Sequence, residues 1–130
     1  MNNSIKEIIT STNAAAPIGP YSHAVLVNGM LFVSGQVAKK ADSGEMVLSD
    51  IDSETHQVMH NLRAILEEAD MNFDNVVKTT IFLKDMNDFG TVNEVYGNYF
   101  KADFPARETV QVARLPKDVN VEISVIAVKL

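Results

Sequence analysis

None of the chain's 130 residues is cysteine, which excludes disulfides, thiolate metal sites and a cysteine nucleophile together. No apolar run reaches the length of a membrane span, and Met1 to Thr10 lacks the apolar stretch of a signal peptide. Lysine and arginine form no cluster, and 17 acidic residues against 11 basic ones leave a formal charge of −6. Such a balance repels polyphosphate, so neither nucleic acid nor a membrane is an expected partner. Internal repeats, low-complexity tracts and linkers are missing as well. The hydrophobic content of 46% rules against wholesale disorder, and the length suits one domain, residues 1–130, around one core. These features together predict a cytoplasmic protein.

Local patterns then divide the chain. Ile5, Ile8 and Ile9 predict a short first strand. Ser11 to Pro20 is a small-residue loop that closes on Ile18-Gly19-Pro20. His23 to Val27 and Met30 to Val37 read as strands separated by Asn28-Gly29, the preferred pair for a type I′ hairpin. The glycine of Ser34-Gly35-Gln36 predicts a bulge or a close backbone approach. From Asp52 to Ala69, apolar residues recur at helical spacing, with Ser49, Asp50 and Asp52 as candidate caps. Val76 to Leu83 reads as a strand. Phe89, Val92, Tyr96, Tyr99 and Phe100 outline a second helix with Asp88 as its cap. Val110 and Val112 mark a strand that follows Pro105, and Leu115-Pro116-Lys117-Asp118 separates it from a last strand ending at Val128.

The order is βββαβαββ, an α+β domain with two helices. Two helices cover one face of such a sheet. Yet Val76 to Leu83 and Val121 to Val128 are apolar on both faces, which predicts strands buried on both sides. The face without helices needs another surface, most economically further copies of the chain, so an oligomer is expected.

Two charged residues stand out in this apolar frame. Arg107 lies near the start of one strand, and its guanidinium offers a planar fork that matches a carboxylate bidentately. Glu122 sits in a Val-Glu-Ile run, where a carboxylate is costly unless it is exposed at an edge, paired or kept for chemistry. In a partly desolvated cleft its pKa would rise, which suits it to orient water or carry a proton.

Pro105-Ala106-Arg107, then Val110-Gln111-Val112-Ala113-Arg114-Leu115-Pro116-Lys117, then Val121-Glu122-Ile123 resembles the signature of the Rid family (reactive intermediate deaminase, also called YjgF). Ile18 to Ala24, Phe32 to Gln36, Val77 to Asp85 and Phe89 to Asn93 look like further family blocks in the expected order. Glu108, where the family usually carries something small, and Thr109, where some members carry cysteine, depart from the pattern. The resemblance implies a homotrimer of chorismate-mutase-like subunits with ligand clefts between neighbouring chains.

It also implies hydrolytic deamination of 2-aminoacrylate, its 2-iminopropanoate tautomer or 2-iminobutanoate to a 2-keto acid and ammonia, with neither cofactor nor metal. Arg107 would bind the substrate carboxylate, Glu122 would handle the proton or water, and Tyr21 would present its hydroxyl. Ser34, Gly35 and Thr109 would offer backbone groups to the substrate, the glycine because it permits close approach, and Asn93 would stand near the cleft. The competing readings are a regulatory or chaperone-like trimer that binds a small carboxylate without turnover, and an endoribonuclease, which the acidic balance opposes. His56 and His60 lie four apart on the first helix, but Gln57 stands where a zinc-protease motif needs glutamate and no third ligand is evident, so they read as surface histidines. His23 reads as packing for the Tyr21 loop rather than as a general base.

Overall fold

Asn28 and Gly29 both take positive φ, 52° and 76°, the backbone that the I′ turn requires, and this hairpin begins the sheet. The computed structural model describes residues 5–130. The strands are β1 (Glu7–Ile9), β2 (Ala24–Val27), β3 (Met30–Gln36), β4 (Val76–Leu83), β5 (Ala106–Gln111) and β6 (Val121–Val128). The helices are α1 (Ile51–Glu68) and α2 (Phe89–Gly97). Ile5 falls outside the first strand, but the element order is the one the sequence predicts.

All six strands form one sheet in the order β1-β2-β3-β6-β4-β5. Only β4 and β5 run parallel, because the crossover through α2 returns the chain in the same direction. Between β3 and β6 the pairing jumps from Val33↔Val125 to Gln36↔Ile123, so three steps on one strand face two on the other. Ser34-Gly35 absorbs the difference as the expected bulge.

The helix ends follow side-chain chemistry. Asp50 is extended at φ −157° and accepts from the Ser53 amide, which makes it the cap of α1. Asp88 does not cap α2. Its backbone is already helical, because a 3₁₀ turn at Met86–Asp88 leads straight into the helix, and its side chain makes no capping bond. Asp85 takes that role one turn earlier by accepting from the Asn87 amide at 2.9 Å. The helix also stops at Gly97, so Tyr99 and Phe100 lie beyond it, although Phe100 still packs on Tyr96 with ring centroids 4.8 Å apart.

Alternation places Val121, Ile123, Val125 and Ala127 toward the helices, where all four are buried. They join Val58, Leu62, Ile65 and Leu66 of α1 and Val92 and Tyr96 of α2 in one core. Glu54 on α1 is also fully buried. Its carboxylate accepts from Asn120 N at 2.8 Å, Asn120 Nδ2 at 2.7 Å and Val121 N at 3.2 Å, which fastens the start of β6 to the helix. The expectation of strands buried on both faces needs correction for a single chain. Glu122, Ser124, Ile126 and Val128 are only half-buried, and Phe32 and Val110 on the same side are 42% and 41% exposed. Among the described residues no helix covers that face, so within the single chain its apolar side chains are left partly uncovered. Lys78 and Glu108 form an ion pair there at 3.3 Å, and Glu108 therefore points away from Arg107 as the alternation requires. Among the described residues no helix is long and apolar enough to cross a membrane.

Candidate functional site

Of the site residues singled out in the sequence, all but Thr109 fall into two clefts, each of about 300 Å³. Ile18, Tyr21, Ser34, Gly35, Pro116 and Glu122 line the first. Asn93, Tyr96, Gly97, Phe104, Pro105 and Arg107 line the second. The two clefts share no residue.

The first cleft is assembled by a loop, a bulge and a turn. His23 secures the loop from inside. Its buried ring accepts from Ser11 N at 3.1 Å through Nδ1 and donates to Ala15 O at 2.7 Å through Nε2. Both ring nitrogens are engaged in a neutral tautomer, so His23 packs the loop as expected and has no free nitrogen for proton transfer. Tyr21 remains largely exposed, and its hydroxyl accepts from Ile18 N at 3.2 Å. Ser34 donates its hydroxyl to Ser22 O at 2.6 Å, leaving lone pairs but no proton for a ligand.

Glu122 projects from β6 onto this cleft. Among the described residues no donor or cation contacts its carboxylate, and burial pushes its pKa above the usual carboxylate range. The bulge explains how it fits. A Cβ on Gly35 would lie 2.8 Å from Glu122 Cδ and closer still to Oε2. Gly35 is thus required for close approach, as its place inside a strand predicts.

The second cleft is built on β5 and α2. The guanidinium carbon of Arg107 stands 5.2 Å from the ring centre of Tyr96 and 5.7 Å from that of Phe89. Attraction to the ring quadrupoles holds the cation, and among the described residues no carboxylate pairs with it. The Tyr96 hydroxyl donates to Thr79 Oγ1 at 2.8 Å, and burial raises its pKa against smaller opposing effects of Thr79 and Arg107. The phenol therefore stays neutral. Asn93 Oδ1 and Thr109 Oγ1 are buried beside this site without hydrogen-bond partners. Helical spacing alone makes Asn93 a solvent-facing amide, whereas its side chain is half-buried against the cleft.

Arg107 and Glu122 do not meet within the chain. Arg107 is register partner to Thr79, and Glu122 is register partner to Phe82. Positions three apart on β4 face opposite sides, so the two charged groups emerge on opposite faces of the sheet. Sequence reasoning missed Tyr96, Phe104 and Pro116 as cleft residues, and Phe89 as a ring beside the Arg107 guanidinium. Helical periodicity assigns Tyr96 to the core, and the available signal was its place three residues after Asn93, on the same side of α2. His56 and His60 lie outside both clefts. His56 Nδ1 and the Tyr99 hydroxyl share a hydrogen bond at 2.7 Å, and burial, reinforced by Arg63 and His56, holds His60 below the usual histidine range.

The fold defines the class: a two-helix α+β subunit with one six-stranded mixed sheet. Residues 11–129 match the family described as Endoribonuclease L-PSP, and the chain belongs to this family, the Rid/YjgF proteins. It is 49% identical to the 2-iminobutanoate/2-iminopropanoate deaminase of Mus musculus over 129 residues, covering 99% of this chain and 96% of the mouse protein. The crystal structure of the YjgF gene product from E. coli superposes with a TM-score of 0.91 at 44% identity, covering 95% of this chain and 99% of that one. E. coli TdcF with bound serine gives a TM-score of 0.91 at 40% identity, with the same coverage of 95% and 99%.

Proposed function

We propose that the protein is a cytoplasmic deaminase that hydrolyses 2-imino acids to 2-keto acids and ammonia at clefts between the subunits of a homotrimer. The observation that carries this reading is the separation of an unpaired Arg107 guanidinium and an unpaired, desolvated Glu122 carboxylate onto opposite sheet faces. Each half is incomplete alone. The half-exposed apolar face beside Glu122 gives a neighbouring copy a surface to cover, and that copy would bring its own arginine cleft to the carboxylate. The names of the mouse deaminase and the other mammalian deaminases support the same chemistry.

The reaction asks little beyond placement. Arg107 binds the substrate carboxylate through its fork. Glu122 takes a proton from water as the oxygen bonds to the imine carbon and delivers it to the nitrogen as the C=N double bond becomes single. The resulting carbinolamine loses ammonia and leaves the 2-keto acid. An enamine such as 2-aminoacrylate first gains a proton at carbon and loses one from nitrogen to become the imine. Thr109 and Asn93 offer unpartnered polar oxygens beside the arginine, while Tyr21, Ser34 and Gly35 line the carboxylate side. Holding the carboxylate and placing one water makes the addition an oriented, effectively unimolecular step.

A second reading keeps the pocket without turnover. The serine bound to E. coli TdcF favours it, because a stable amino acid occupies that relative. The endoribonuclease in the family's description is opposed by a net charge of −6 and by lysines and arginines that form no cluster along the sequence.

The test is release of ammonia and keto acid from freshly generated 2-iminopropanoate and 2-iminobutanoate, with both proteins shown trimeric by light scattering. Acceleration that disappears in Arg107→Ala is expected. A trimeric wild type that accelerates neither substrate would overturn the deaminase reading.

A further inference from the structure

We infer that Tyr96, fixed by its hydrogen bond to Thr79, is a positioning residue that orders the Arg107 guanidinium before a carboxylate arrives. The inference rests on Arg107 being the carboxylate-binding group of the proposed function. Three observations meet at this point. Thr79 and Arg107 are register partners on adjacent strands, so both side chains leave the same sheet face side by side. The Tyr96 hydroxyl is anchored to Thr79 Oγ1 at 2.8 Å, and Tyr96 itself is buried. Its ring centre lies 5.2 Å from the guanidinium carbon, with Phe89 of the same helix at 5.7 Å.

An arginine side chain has many rotamers, and ordering it on binding opposes affinity. A neighbouring carboxylate would order the guanidinium by pairing with it, but such a partner here would compete with the substrate. Ring faces order the cation while leaving it without a counter-carboxylate. The phenol cannot readily become a competing anion, because burial raises its pKa. Thr79 fixes the tyrosine, the tyrosine fixes the guanidinium, and helix α2 is thereby keyed to strand β5 at the cleft.

The experiment is calorimetric titration of the trimer with 2-oxobutanoate, which reads the carboxylate site without turnover. Tyr96→Leu is expected to weaken binding roughly tenfold, with KM for imino acids rising while kcat holds. Tyr96→Phe, which keeps the ring and loses the Thr79 bond, is expected to lose only about twofold to threefold. In the Arg107→Ala background, adding Tyr96→Leu should change nothing further. Because Tyr96 is buried, a series of mono-, di- and trifluorinated phenylalanines at position 96 provides variants of nearly unchanged shape. Affinity falling stepwise along that series is expected. Unchanged affinity in Tyr96→Leu, additive losses in the double variant, or a flat fluorine series would each overturn the inference. A wild type that binds 2-oxobutanoate but releases no ammonia would remove the deaminase reading and leave this one standing. A wild type that does not bind the probe would overturn this inference, while ammonia release from the imino acids decides the deaminase reading separately.

Discussion

Gly35 leaves the space that the Glu122 side chain occupies. The glycine lies in the β3 bulge opposite β6, and any Cβ there would meet the carboxylate group before any other atom. Glu122 is the far end of a flexible side chain, so Gly35→Ala should be absorbed by its displacement rather than by unfolding. Activity is expected to fall by about a hundredfold, since a misplacement of about 1 Å can cost that much, with the melting temperature nearly unchanged. Measuring both on one preparation separates the outcomes. A variant that keeps full activity would mean that Glu122 is not held where it acts.

The opposite faces of Arg107 and Glu122 make a prediction about mixing subunits. Arg107→Ala and Glu122→Gln are each expected to be nearly inactive. Co-refolded at equal amounts, they should regain about a quarter of wild-type activity, because one site in four of a cyclic assembly then pairs an intact arginine with an intact glutamate from different chains. Mixed protein as inactive as its components would contradict a site shared between chains.

Burial raises the Glu122 pKa, which sets the sign of a pH effect. Proton transfer from water needs the ionised form, so activity should fall as the medium is acidified through a pKa above the ordinary carboxylate value of about 4.3. Glu122→Gln should lose this limb and slow the reaction by about 10² to 10⁴. Rates are compared with uncatalysed hydrolysis at each pH, since the imine has its own pH dependence. An identical acid limb in the variant would assign it to another group.

Glu54 ties α1 to Asn120 and to Val121, the first residue of β6, through three N–H donors. Glu54→Leu fills similar space and leaves those donors unsatisfied. Its stability is expected to drop by about 3 kcal/mol, read as a lower urea midpoint at unchanged slope. A midpoint equal to wild type would show that water or relaxation satisfies the donors.

Much of the frame was readable along the chain, since its signals are local. Asn28-Gly29 dictates its own turn, the spacing from Thr55 to Leu66 dictates an amphipathic helix, and Val76 to Leu83 matches the observed strand residue for residue. Asp88 misled because a cap depends on the backbone entering the helix, and the preceding 3₁₀ turn had already made that backbone helical. Glu54 gave no signal. A carboxylate one residue before Thr55 in a helical pattern reads as solvent-facing until β6 brings its backbone amides alongside.

The family motifs around Arg107 and Glu122, the βββαβαββ order and the need to cover a second apolar face follow from the sequence by itself. Periods of two and 3.6 residues and turn chemistry act within a few neighbours. Only the tertiary structure decided that Arg107 is held over Tyr96 and Phe89, that Gly35 gives way to Glu122, and that the arginine and the glutamate face opposite sides. Those relations depend on strand order and register. Moving either strand by one residue would turn its side chains to the other face, and no signal within a single strand fixes that choice.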